Sequence, residues 1–263
     1  MRSEGLNEDA RSAVKSADRL LDLFELLARF NGGLSHTAIT EALGIPKSSL
    51  TQLLKTATGR GYVAYSAAGK SYRLGERFTS MARLTSRRQD LVGLAQPVLE
   101  RITAQTGESS ALNMLKGNDA EVVATVSSSQ RLVSHMRLAD LAPLYATSGG
   151  KVILAHMPES RREEYLDSVS FDPITANTLS SATELRRQID KIRREGIAYS
   201  HEEFTPGIIG LAKAVLAEDG QALGSINVAL PAVRYNPRAE ALIADALDEA
   251  VAELQRQLAS ADL

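Results

Sequence analysis

The chain contains no cysteine in 263 residues. That absence excludes disulfides, cysteine-built zinc clusters and a thiol nucleophile. No run of 18 or more apolar residues occurs, so no membrane-spanning helix is expected. The opening stretch, Met1 to Ala10, is polar, carries acids and lacks the apolar core of a secretory signal. The nucleophile-elbow pattern Gly-x-Ser-x-Gly is missing as well. The four histidines, His36, His135, His156 and His201, show no pair at metal-ligand spacing. Together these absences lead us to expect a cytoplasmic protein with no metal, no cofactor and no membrane partner. What remains is an ordinary globular composition, 44% hydrophobic and 24% charged, neither disordered nor of low complexity. The length suggests two domains rather than one.

The net charge of −2 conceals a split. Residues 1–90 carry 14 Lys and Arg against 9 Asp and Glu, a net +5, and residues 91–263 carry 16 against 23, a net −7. A basic front end on an acidic body is the asymmetry expected when one part meets a polyanion. From Pro46 to Gly61 three cations, Lys47, Lys55 and Arg60, stand with no acid among them.

Within that front end the periodicity predicts three helices and a hairpin. Val14, Ala17, Leu21, Phe24 and Ala28 recur at helical spacing, with Ser12 as a candidate cap and Asn31-Gly32-Gly33 as a stop. A second helix is expected over 37–43, burying Ala38, Ile39, Ala42 and Leu43, and ending at Gly44. Pro46 then opens a third helix over 47–58, with Leu50, Leu53, Leu54 and Ala57 as its buried stripe. Its other face offers Ser48, Ser49, Thr51, Gln52 and Lys55, short hydrogen-bonders and a cation able to meet phosphates and base edges. Two short strands, 62–66 and 71–74, flank a turn at Ala67–Lys70 and carry Lys70 and Arg73. Helix, Gly turn, helix, then hairpin is the winged helix-turn-helix layout. A small bundle with a solvated polar face is the alternative, and the acid-free third helix and basic hairpin favour DNA.

Seven blocks in register resemble the IclR family of bacterial transcription regulators: Val14–Phe24, Leu43–Leu50, Gly61–Gly75, Ala142–Lys151, Glu195–Glu203, Gly207–Ala212 and Val228–Arg234. The resemblance implies an α+β chain with a winged helix-turn-helix domain at 1–75. A linker and dimerisation helix follows at 76–107, then a GAF-like mixed α/β effector-binding domain at 108–263. It also implies a homodimer or tetramer on double-stranded operator DNA. Two positions depart from the family pattern: Tyr145 where His is common, and Gly150-Lys151-Val152 where Gly-Lys-Ala is common. Both touch on which ligand is bound.

The linker is expected to be helical from Glu76 to Thr106, with Arg83, Arg87 and Arg88 off its apolar positions and a kink or restart at Pro97. Phe78 to Leu84 reads as a dimer contact, because an isolated linker helix has no core of its own. Beyond Gly107, strands are expected at 109–115, 121–127 and 132–137. A helix should open at Ser148. Another, over 182–195, carries Ser181 and Glu184 at capping-box spacing. Two strands, 210–217 and 222–230, flank the turn at Glu218-Asp219-Gly220, and a last helix runs from Pro237 to about Leu258.

The turn Thr147-Ser148-Gly149-Gly150 at a helix start exposes backbone N–H groups where the helix dipole favours negative charge, a receptor for a small carboxylate. A plain capped helix start is the other reading. A nucleotide loop is excluded, since Tyr145 stands where its first Gly would be and Val152 follows Lys151. By resemblance, effector-lining positions are Ser134, Ala142, Leu144, Ser148, Gly149, Ser200, Ile208, Gly210 and Asn227. Ser200 and Gly210 stand where some members carry an acid and a Cys, leaving room for a larger or more negative ligand.

The resulting expectation is an effector-controlled transcription regulator of a catabolic operon. Ser48, Ser49, Thr51 and Gln52 would read bases, while Lys47, Lys55, Lys70 and Arg73 would bind phosphates. The rival, a hydrolase on the α/β body, would need Ser148 and His201 to pair and has no third member. An interaction scaffold without DNA affinity is a third reading, which the acid-free third helix disfavours.

Overall fold

The computed structural model describes residues 14–30, 32–134 and 136–260, the side chains of residues 82–87 excepted. The proposed cap Ser12, the stop residue Asn31 and His135 lie outside the described residues, as do the side chains of Arg83, Leu84 and Arg87. Backbone contacts separate two units, meeting at Thr85 and Ser86.

The first unit contains helices α1 (Lys15–Ala28), α2 (His36–Leu43) and α3 (Lys47–Gly59), then strands β1 (Val63–Ser66) and β2 (Ser71–Leu74). Leu34 bridges to Tyr72 and extends the hairpin. Leu23, Leu27, Ile39, Ile45, Leu50, Leu54, Ala57 and Val63 form the core. α2 ends where Gly44 turns left-handed at φ 61°, a conformation open to glycine at little cost. One expectation fails in α1. Leu23 and Leu27 are buried, with Leu20 and Phe24 packed beside them, whereas Val14 and Leu21 are 66% and 59% exposed. Two apolar stripes overlap on this helix, and the one richer in leucine buries more surface. In α2 only Ile39 is fully buried, and Ala42 is exposed.

Helix α4 (Glu76–Thr106) is continuous through Pro97. The helix does not restart at Pro97, which is exposed, so the hydrogen bond that proline cannot make falls on the wet side of the helix. Phe78, assigned to a dimer contact, packs edge-on against Phe24 with ring centroids 5.4 Å apart, inside its own unit.

The second unit is built on a six-stranded, wholly antiparallel sheet. It comprises β3 (Ser109–Lys116), β4 (Asp119–Val126), β5 (Leu141–Pro143), β6 (Ala198–His201), β7 (Ile208–Leu216) and β8 (Ala222–Pro231), in spatial order β5-β4-β3-β8-β7-β6. α8 (Pro237–Ser260) packs on β7 and β8, while Leu91, Ala95, Val98, Leu99 and Ile102 of α4 are also buried. Another apolar cluster gathers α5 (Ser148–Ala155), α6 (Glu159–Ser168) and α7 (Ala182–Glu195), around Leu144, Ile153, Leu154, Tyr165, Leu185 and Ile189.

Two expectations are corrected here. The described residues of 132–137 form no strand. The edge strand is Leu141–Pro143, paired with Asp119–Glu121, and Leu132 and Leu138 are 57% and 64% exposed. Apolar residues marked that segment, but it lacks a partner ladder, and a strand exists only by pairing. Helix α6 was not expected. It buries only Arg162, Tyr165 and Leu166, too narrow a stripe to stand out among five other charged residues.

Candidate functional site

In the first unit, Lys47, Ser48, Thr51, Gln52 and Lys55 of α3 are exposed, as are Lys70 and Arg73 of the hairpin, and Ser49 is half-buried. The buried stripe of Leu50, Leu54 and Ala57 holds α3 from behind, so its polar face is turned outward by packing rather than by default. Thr51 donates its hydroxyl to Lys47 O at 2.8 Å, and His36 Nε2 lies 3.1 Å from the same Oγ1. His36 therefore joins the start of α2 to the outer face of α3. Sequence reading gave it no role, because the contact spans the turn between two helices.

In the second unit, a cavity of about 340 Å³ opens on one face of the sheet. Ser134, Ala142, Ser148, Gly149, Ser200, Ile208, Gly210 and Asn227 all line it. Leu144 does not: it is wholly buried, and its backbone lies where a Cβ on Gly150 would fall, 2.5 Å away. Tyr145 turns from the cavity too, bonding its hydroxyl to Asp172 O at 3.0 Å and packing on Phe171. At Gly210 a Cβ would fall 2.7 Å from Ser148 Oγ, so Ser148 takes up part of the room that the missing side chain leaves.

Thr147 caps α5, its Oγ1 accepting from Gly150 N at 3.0 Å, and Lys151 N bonds to Thr147 O. The N–H groups of Ser148 and Gly149 have no acceptor within the helix, as at any first turn. Ser200 anchors β6 here by donating to Ala146 O at 3.1 Å. Behind the turn, Lys151 is fully buried and donates to Glu203 and to Gln188 Oε1 at 2.6 Å. Burial pushes the Lys151 ammonium below the usual lysine range, and the Glu203 carboxylate opposes that push.

Sequence reading also missed Asn113, Met136, Asp140, Phe204 and Thr205 in the cavity wall. Asn113 carried the one available signal, a polar residue in the middle of the apolar stretch Ala111–Leu115. A bulge between Leu112 and Asn113 shifts the ladder so that Asn113 faces Val122, and both line the cavity. Among the described lining residues Asp140 is the sole charged one.

Strand alternation separates Ser148 from His201. Ser200 faces the cavity, so His201 takes the other side of β6, where its ring stacks on Tyr199 at 5.8 Å and meets Tyr235 at 5.7 Å. Among the described residues no cluster of acids and histidines could hold a metal, and no helix is long and apolar enough to cross a membrane.

Comparison with known proteins agrees with this layout. Residues 16–67 match the model of the IclR helix-turn-helix domain, and residues 82–256 match that of the bacterial transcriptional regulator IclR C-terminal. The chain is 35% identical over 241 residues to the HTH-type transcriptional regulator Rv1719 of Mycobacterium tuberculosis, covering 91% of each. It is 25% identical to the crystal structure of Thermotoga maritima IclR, with a TM-score of 0.62, covering 94% of this chain and 99% of that one. An IclR homologue from Microbacterium hydrocarbonoxydans, solved with 4-hydroxybenzoate, shares the fold at 21% identity and a TM-score of 0.60, covering 93% and 99%.

Proposed function

Because the chain belongs to the IclR family of bacterial transcriptional regulators, we propose that it is a regulator whose operator affinity is set by a small carboxylate held in the second unit. The observation that carries this reading is the cavity itself, with the uncommitted N–H groups of Ser148 and Gly149 at its wall. An anion there meets the positive end of the α5 dipole.

Residues 1–75 act as the DNA-binding domain, 76–107 as a linker and dimerisation helix, and 108–263 as the effector-binding domain. Ser48, Ser49, Thr51 and Gln52 read base edges, and Lys47, Lys55, Lys70 and Arg73 bind phosphates, all eight except Ser49 being exposed. The working form is a homodimer, or a tetramer of such dimers, on a pseudo-palindromic operator. Two α3 helices enter successive major grooves. A ligand that favours one arrangement of the dimer shifts the spacing of its DNA-binding domains by the difference in its affinity for the two arrangements. The protein acts in the cytoplasm, on an operon whose enzymes metabolise the effector.

The test is selection from sheared genomic DNA at moderate salt. Enrichment of one or a few intergenic sites, released by a small carboxylate related to the neighbouring genes, is the expected result. Uniform retention, or none with or without such acids, would overturn the reading.

A further inference from the structure

A hydroxyl has one proton to give and two lone pairs to receive with, and on the outer face of α3 the proton of Thr51 is already committed. It goes to Lys47 O at 2.8 Å, an ordinary O–H···O length. His36 Nε2 lies 3.1 Å from the same oxygen, within the N–H···O range. On the other side of the ring, Thr40 Oγ1 is 3.4 Å from Nδ1 and spends its own proton on His36 O at 2.8 Å. Neither hydroxyl beside the ring has a proton left for it, so the imidazole is the donor, and Nε2–H points at Thr51.

This has a consequence at the protein surface. Threonine in a helix divides between two rotamers, because its hydroxyl can reach back to a carbonyl one turn earlier. The His36 bond selects the rotamer in which Thr51 does so. The chain from His36 N–H through the Thr51 hydroxyl to Lys47 O also polarises in one direction, which strengthens both links. His36 is half-buried at the first turn of α2, whereas Thr51 is exposed. What Thr51 presents outward is therefore its second lone pair, an acceptor, and not a proton.

We propose that His36 is a positioning residue for base recognition: it holds Thr51 as an acceptor, so that the base facing Thr51 is one that offers an amino group. In the major groove adenine and cytosine offer N–H donors, while guanine and thymine offer acceptors. This rests on the reading of α3 as the recognition helix given above. It adds to that reading a choice of amino over keto bases, set by a residue outside α3.

Competition binding of the full-length protein to a duplex enriched from genomic DNA, with each base pair permuted in turn, tests it. Thr51→Ala identifies the facing position as the one whose preference it abolishes. There the parent should favour adenine or cytosine over guanine or thymine about fivefold, the worth of one neutral hydrogen bond. His36→Leu should cut that preference below about twofold with non-specific DNA binding unchanged, which also shows that the variant folds. His36→Gln, which keeps an N–H donor, should restore it. A preference for guanine or thymine, or an undiminished preference in His36→Leu, overturns the proposal and leaves α3 as the recognition helix. Loss of all DNA binding in both His36 variants assigns the contact to holding α2 on α3 and overturns it likewise. If Thr51→Ala alters no position, or no duplex is enriched, base reading by Thr51 falls and the proposal with it.

Discussion

Lys151 Nζ donates to both carboxylate oxygens of Glu203, at 2.9 and 2.7 Å, and neither side chain is more than 6% exposed. The pair joins the first turn of α5 to the loop after β6. That loop carries Phe204 and Thr205 into the cavity wall, and Thr175 and Thr178 hold it further by donating to the Glu202 and Glu203 carbonyls. A charge pair thus fixes the two parts of the wall that a ligand would touch together.

Removing one member should cost far more than removing both. Lys151→Met leaves a buried carboxylate without its cation, for a loss of about 3–5 kcal/mol of stability. The double variant Lys151→Met/Glu203→Leu should recover most of it. Urea unfolding of the two single variants and the double one measures the coupling. Simple additivity would show that the pair is not acting as one.

Lys55→Glu should abolish retention on DNA while the second unit binds its ligands unchanged. The milder Lys55→Ala should weaken binding across all sequences and lower the slope of log affinity on log salt by about 1. Retention undiminished in Lys55→Glu would refute the assignment of α3 as the recognition helix.

Two glycines in helices should respond in opposite directions to alanine. At Gly150 the new Cβ would lie 2.5 Å from the Leu144 Cα and carbonyl oxygen, backbone atoms that cannot swing aside. A loss of about 1–3 kcal/mol is expected from overpacking. At Gly93, exposed on α4 with nothing within 4 Å, alanine should gain about 1 kcal/mol of helix propensity. Denaturant midpoints of the two variants against the parent decide the matter.

Glu240 accepts from Tyr235 at 2.7 Å and from Tyr199 at 2.9 Å. The Tyr235 hydroxyl first, then that of Tyr199, holds its carboxyl below the usual range. A carboxyl depressed in the folded state contributes stability that is present above its unfolded pKa and lost as pH falls through its folded pKa. Burial, aided by Glu240, pushes Tyr199 up to about 12, so its contribution is present below its ordinary value and lost as pH rises towards that figure. Tyr199→Phe/Tyr235→Phe should therefore flatten the stability profile between about pH 6 and pH 3 and again above about pH 10. Unfolding midpoints across that range that run parallel to the parent would contradict the assignment.

Much of the fold was legible because its signals are local. The third helix was readable from Pro46 at its start and from a leucine stripe that no other stripe contests. Gly44 and Gly196 mark helix ends, and both are left-handed at φ 61° and 74°. Ser181 caps α7 by accepting from Glu184 N at 3.3 Å. The Glu184 carboxylate reaches Ser180 N instead of Ser181 N, one residue from the expected partner. Where two local signals competed, the sequence was ambiguous. In α1 the stripe through Leu21 and the stripe through Leu23 are equally periodic, and only the packing of α2 and β2 chooses between them.

The chain by itself determined the winged front end, the linker helix, the interleaved strands and helices behind it, and the turn at Ser148. All of these follow from residues within a helical turn or a strand of one another. The tertiary structure decided what brings the cavity's side chains together. Asn113 and Asn227 face it because strands distant in sequence pair in one register with one bulge, and Glu203 finds Lys151 because the loop after β6 folds back over α5. A strand's two faces are told apart only by what covers them, and the covering elements come from elsewhere in the chain. That is why the position of the site could be read from its turn and part of its wall from the family resemblance, while Asn113, Met136, Asp140, Phe204 and Thr205 could not.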